Sequence, residues 1–176
     1  MEIAIIFFLI ILNGVFSMSE IALISARKSR LETAAKKGNR SAQTALDLAN
    51  APTKFLSTVQ IGITLIGILT GIYSGDKITD DVTLFFMQFE SLQAYASTLG
   101  VVTVVVILTF LSLVLGELLP KRIGLNYPET IAKTLAVPMK IVSVITAPFI
   151  WLLTVSTEFL LKLLMIKPSA DGKITE

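Results

Sequence analysis

Glu117 ends an uncharged run from Ala94 to Gly116 and is followed by Leu118-Leu119-Pro120-Lys121-Arg122. A charge at the centre of a membrane helix costs about 2.5–3.5 kcal/mol on insertion scales, so such a residue usually faces a cavity, an ion or a partner helix. Glu20 lies inside the first apolar run. Two acids within apolar segments suggest a path for a cation. The chain has no Cys and no His, which excludes disulfides, thiolate and imidazole ligands, the usual general base and the physiological-pH switch. Oxygen must therefore hold any metal, with Met18 the one nearby thioether. That disfavours zinc and copper and leaves magnesium, calcium, manganese and sodium.

The other polar residues of the apolar runs fall into register. Asn13, Ser17 and Glu20 are spaced four and three apart, so they share a helix face, with Ser19 pointing partly away. Ser and Asn also join membrane helices by hydrogen bonds, which is the plain alternative for this face. Gln60, Thr64, Gly67 and Gly71 form one stripe of the second run, and Thr58 with Gly62 another. Gly67 and Gly71 are a small-xxx-small pair suited to close backbone approach. Thr109, Ser112 and Gly116 share a face leading to Glu117. Pro120 has no N–H to donate to the Gly116 carbonyl. The expected result is a carbonyl free to bind an ion beside Glu117.

Helices must position these groups, and the composition says they lie in a membrane. The 176 residues are 53% hydrophobic, with a mean hydropathy of +0.78, too apolar for an ordinary soluble domain. The net charge of +2 says little about partners; its distribution says more. Ile3–Ile24, Phe55–Tyr73 and Ala94–Leu115 each suffice for about 20 helical residues across the hydrocarbon core. The first has no basic leader and no small-residue cleavage site, so it reads as a retained helix. Arg27, Lys28, Arg30, Lys36, Lys37 and Arg40 follow the first run; Lys121, Arg122, Lys133 and Lys140 follow the third. Between the second and third stand Asp76, Asp80, Asp81 and Glu90 against Lys77. The positive-inside rule then puts the N-terminus and the acidic loop outside, and the basic segments in the cytoplasm. Leu31–Ala49 carries an apolar stripe, predicting one amphipathic helix ended at Asn50-Ala51-Pro52. Ile141–Thr157 is uncharged, short and interrupted by Pro148. It fits either a fourth span or a bent interfacial helix with Trp151 at headgroup level.

Asn13-Gly14-Val15-Phe16-Ser17-Met18-Ser19-Glu20-Ile21-Ala22-Leu23 resembles the first-helix motif of the CNNM/CorB/CorC membrane domain. Gly116-Glu117-Leu118-Leu119-Pro120-Lys121 is similar to that family's Gly-Glu-hydrophobic-x-Pro-Lys motif, and Val59-Gln60-Ile61-Gly62 falls where its second-helix motif belongs. The likeness covers essentially the whole chain and implies a bacterial or archaeal member. It implies an all-α membrane protein, homodimeric, with three transmembrane helices and cytoplasmic juxtamembrane helices forming a belt. On this reading residues 1–26 are the first spanning helix and 27–52 a cytoplasmic juxtamembrane helix. Residues 53–74 are the second span, 75–93 an extracellular acidic loop or helix, and 94–119 the third span. The interfacial belt is 120–167, so the fourth stretch does not cross, and 168–176 is a linker toward a CBS region. The location implied is the plasma (inner) membrane, multi-pass, with the C-terminus cytoplasmic. ATP would act only through those CBS modules.

The family is associated with export of magnesium coupled to sodium influx, so Mg2+ is the expected cargo and Na+ the coupling ion. Ser17 and Glu117 would coordinate the ion, helped by Asn13 and by carbonyls near Gly62 and Gly116, with Ser19, Glu20 and Thr64 completing the candidate set. One position departs: many members carry Asn directly after the second-helix glycine, where this chain has Ile63. Thr64 or Gln60 stands nearby, in a different place. Some bacterial relatives without that Asn are linked to polyamine export. A diamine asks for carboxylates and an apolar channel, so putrescine or cadaverine is the alternative cargo. The rival of another class is a membrane scaffold or ion sensor that moves nothing, with Glu117 paired to Lys121, Arg122 or a partner helix. No nucleophile–base pair or phosphate-binding glycine loop appears, so neither an enzyme nor a nucleic-acid partner is expected.

Overall fold

A computed structural model describes residues 2–73 and 76–164. α1 (Glu2–Ser25) is apolar on nearly every side and is the hub of the bundle. It packs against α4 (Pro52–Tyr73), α8 (Pro128–Ile145) and the helical run that carries Glu117. Ile6, Leu9, Ile10, Phe16, Ala22 and Leu23 of α1 are buried in these contacts. The outward faces of Phe7, Phe8, Ile68 and Phe110 are left for lipid, as expected where the solvent is hydrocarbon. Three helical stretches are long and apolar enough to cross a membrane: Ile3–Ser25, Pro52–Tyr73 and Glu90–Asn126. They match the three expected spans.

The expected helix over Leu31–Ala49 is two helices, α2 (Lys28–Lys36) and α3 (Arg40–Ala49). Gly38 stops the first in the left-handed region, at φ +87°. Gly38 N–H donates to Ala35 O and Asn39 N–H to Ala34 O, the paired bonds of a Schellman end. Asn39 then caps the second, its side chain accepting from Ala42 N–H at 2.9 Å. The break lets α3 turn and seat Ala42, Ala45 and Leu48 against α8, whose Ala132, Ala136 and Met139 are buried in return. Two ion pairs flank this contact, the half-buried Arg30–Glu129 at 3.5 Å and the exposed Lys140–Asp47 at 4.0 Å.

α5 (Asp76–Met87) leaves the end of α4 and returns, through a 3-10 turn at Glu90–Tyr95, along α6 (Ala96–Leu113). Gly100 makes that return close, since a Cβ there would collide with Thr83. α6 runs without interruption through a π-helical turn, Val114–Leu118, into α7 (Leu119–Asn126). Pro120 therefore does not stop the helix, which absorbs it. Leu119 N–H reaches back to Val114 O, widening the turn just ahead of the ring that lacks a donor. The stretch Ile141–Thr157 is divided at Thr146, where α8 meets α9 (Ala147–Leu163) at 62°. No straight helix crosses there. α9 keeps Phe149, Trp151, Phe159 and most of its other large side chains exposed.

Candidate functional site

The π turn is held to α1 by small residues. A Cβ on Gly14 would lie 2.8 Å from Pro120 Cγ and 3.1 Å from Leu115 O, so only glycine lets the two helices meet here. Gly116 approaches the Ile10 carbonyl and the Asn13 side chain in the same way. Two turns on, Gly124 lies over Met18 O and Ile21. Gly116, Pro120 and Gly124 thus form a smooth seam against Ile10, Asn13–Gly14 and Met18–Ile21.

At this seam Asn13 Nδ2 donates to Gly116 O at 3.1 Å. The carbonyl expected to be free is therefore taken, and the donor is another residue expected to bind the ion. What remains outward is the Asn13 Oδ1, an acceptor that suits a hard cation. Ser17 lies one turn further along α1, between the Gly14 and Gly124 contacts, and is 1% exposed. Its hydroxyl makes none of the side-chain hydrogen bonds found among the described residues. Glu117 projects from the turn itself and accepts a 2.7 Å bond from Lys121 Nζ; the two side chains are 41% and 35% exposed. Asn13, Ser17, Gly116 and Glu117 are thus the expected residues that gather at one seam.

The other four stand apart. Ser19 is buried, but its hydroxyl donates to Phe16 O at 2.8 Å, and it faces Leu23, Phe55 and Met139 in the α1–α4–α8 packing. Gly62 is the seat of the Phe16 ring, which a Cβ would strike, so its proximity to α1 is one of packing. Thr64 is exposed on α4, one turn from Gly67 and on the same open side, where a Cβ on Gly67 would meet nothing within 4 Å. Glu20 is partly exposed and forms no ion pair among the described residues. Ile63 packs against the core beside α1. Among the described residues no three acids gather as a metal-ligating group.

The sequence reading did not anticipate a second feature. A cavity of about 680 Å3 opens between the end of α4, α5 and α6. Val101, Val105 and Leu108 supply apolar wall, Thr70, Thr109 and Ser112 supply hydroxyls, and Asp80 supplies the carboxylate. Its signal in the sequence was partial: Thr109 and Ser112 marked a polar face, while Asp80 looked like one of several loop acids.

The family model described as the Cyclin M transmembrane N-terminal domain, CNNM, matches residues 4–176. This chain belongs to the CNNM family. Among curated relatives, the UPF0053 protein sll0260 of Synechocystis is 51% identical over 176 residues, all of this chain and 39% of the relative. The UPF0053 protein YhdP of Bacillus subtilis is 30% identical over 166 residues, 94% of this chain and 37% of the relative. A protein of Escherichia coli named polyamine export protein is 31% identical over 150 residues, 85% of this chain and 33% of the relative. The CNNM chain therefore spans about two fifths of the length of the first of these relatives. Family membership and the three spans make it a membrane protein.

Proposed function

We propose that this CNNM chain is the membrane part of a cation exporter, and that the cation passes the seam between α1 and the π turn. The observation that carries the reading is the turn itself. A π turn ahead of Pro120 projects Glu117 where Asn13 of α1 clasps the neighbouring carbonyl. A carboxylate, an amide oxygen and a hydroxyl are thus carried on the two elements of one seam, the first on the turn and the others on α1. Magnesium asks for this, because it gives up water reluctantly and takes only one or two carboxylates from a protein. The Glu117–Lys121 pair, which the scaffold reading also expects, fits the same mechanism. Lys121 stands in for the cargo, and an arriving cation displaces the ammonium. Mg2+ is the proposed cargo, Na+ influx the proposed drive, and a homodimer in the plasma membrane the proposed assembly. The N-terminus and the acidic loop lie outside on this proposal, and α8 and α9 form the cytoplasmic interface. Alternating access is a tilt of α6–α7 on the glycine seam against α1.

A specific observation keeps polyamines as the second reading. Ile63 is apolar and packed, and the cavity beside α6 has apolar walls and the Asp80 carboxylate. The test is flux into liposomes holding the purified protein, with Mg2+ and putrescine as cargo, for wild type and Glu117→Ala. Mg2+ flux should fall to background in the variant while its dimer mass and melting temperature hold. Undiminished flux in Glu117→Ala would remove Glu117 from the mechanism, and no flux of either cargo would favour the scaffold or sensor.

A further inference from the structure

We infer that the cavity between α4, α5 and α6 is a water-filled vestibule that brings the outer solution to within about one helical turn of Glu117. The inference rests on the exporter reading for its direction, with the acidic loop outside. The vestibule itself is tested without transport.

The lining asks for water. About 680 Å3 is ample for a column of water molecules, each of which takes about 30 Å3 in the liquid. Val101, Val105, Thr109 and Ser112 line the cavity from α6 at helical spacing, and Thr70 and Thr79 line it from α4 and α5. A hydroxyl that faces hydrocarbon must find its partner inside the protein, because lipid tails offer none. The second span does this: Thr58 Oγ1 donates to Lys54 O and Thr70 Oγ1 to Ile66 O, each at 2.8 Å. Thr109 and Ser112 make no hydrogen bond among the described residues. An acyl chain in the cavity would leave both hydroxyls unpaired. Water supplies partners to both, since each molecule makes two to four bonds of its own. The adjoining face of α6 gives the contrast. Val102, Val106 and Phe110 are exposed, bear no polar side-chain atom and lie outside the cavity, so lipid covers them.

The register gives the vestibule its depth. α5 and α6 run antiparallel with Thr83 against Gly100, so Thr79 and Asp80 lie near the level of Val104. Thr109 and Ser112 follow Val104 by five and eight residues, about 8 and 12 Å further along at the helical rise. Ser112 is sixteen residues past the first residue of α6, about 24 Å, against about 30 Å of hydrocarbon. The wall ends at Leu113, the residue before the π turn. Glu117 follows four residues on, about 6 Å along the axis and close to the same face. The barrier between Glu117 and the outside is then the single turn Leu113–Gly116. A cation leaving Glu117 outward needs that turn to shift, and no passage has to open across the whole bilayer.

Cysteine accessibility tests this, and the chain has no Cys of its own to blur the result. Single variants Thr79→Cys, Val105→Cys, Thr109→Cys and Ser112→Cys are compared with Val102→Cys, Val106→Cys and Phe110→Cys. The probe is a membrane-impermeant cationic methanethiosulfonate added outside intact cells that make the protein, with melting of each purified variant as the control for folding. Only the thiolate reacts, and apolar surroundings raise the thiol pKa, at about tenfold less thiolate per unit. The cavity set should therefore react at least about tenfold faster than the lipid-facing set. Leu108→Trp, which plugs the cavity beyond the level of Thr79, should slow Ser112→Cys by about tenfold and leave Thr79→Cys unchanged. Ser112→Cys and Thr109→Cys that react as slowly as Val106→Cys, yet are labelled by a lipophilic maleimide, overturn the vestibule and leave a lipid groove. Labelling that appears only after the cells are permeabilised overturns its outward direction. If the cavity set is labelled from outside but neither Mg2+ nor putrescine crosses liposomes, the vestibule stands and the exporter reading falls. If flux needs Glu117 but the cavity set stays unlabelled, the exporter stands and the vestibule falls.

Discussion

Glu117 and Lys121 form a weak pair by design. Exposed i,i+4 pairs contribute about 0.3–0.5 kcal/mol, so a cation displaces the lysine at little cost. Lys121→Met should therefore raise the apparent affinity for Mg2+ about twofold, by the same magnitude, measured as the half-saturating concentration of flux. Asn13→Ala removes the clasp on Gly116 and should lower Mg2+ affinity by about 10–100-fold, the usual cost of losing a residue that orients ligands. A fall of less than twofold would make the Asn13 bond simple helix glue. The acid, the proline and the Asn13–Ser17–Glu20 spacing were legible in the chain, because charge cost and a missing N–H are local properties. The partner of the Gly116 carbonyl was not. It lies 103 residues away, and no periodicity says which of several polar side chains will reach across.

At the scale of elements, the pattern showed the spans and the break near Pro148 but not the break at Gly38 or the π turn. The three apolar runs were unmistakable because lipid demands an unbroken stretch of about 20 residues. Gly38-Asn39 carried a stop signal that the apolar stripe of Leu31–Ala49 concealed, since α2 and α3 continue the same spacing on either side. Gly38→Ala should destabilise the protein by about 1–2 kcal/mol, the cost of a left-handed alanine, seen as a lower midpoint in thermal unfolding. Open space around Gly38 means that no clash adds to this. Asn39→Ala should cost about 1 kcal/mol as a lost cap. The π turn was hidden for a different reason. A proline announces a missing bond, but whether the helix ends, kinks or widens depends on what packs on it, and Gly14 does that packing from another span.

Across the whole molecule, two sets of glycines behave oppositely. Gly14, Gly62, Gly116 and Gly124 face backbone or ring atoms, whereas Gly67 and Gly71 have open space beside them. Gly124→Ala should destabilise by about 1–3 kcal/mol, because its methyl would press on the Met18 carbonyl, which cannot rotate away. Gly67→Leu should leave the fold of one chain unchanged. If two copies meet on that open side of α4, it should shift mass in detergent from dimer to monomer, and an unchanged mass would place the contact elsewhere. The sequence showed both sets only as small residues, and only the third dimension separates seam from surface. The hub position of α1 has a further consequence in time. α1 is made first, yet the seam that covers its polar face comes from the π turn and α7, more than 100 residues later. At about 5–20 residues per second, synthesis leaves Asn13 and Ser17 uncovered for roughly 5–20 seconds. During that interval the first helix must rest against the insertion machinery or ride high in the headgroups, and it settles to its final depth only when the last third of the chain arrives.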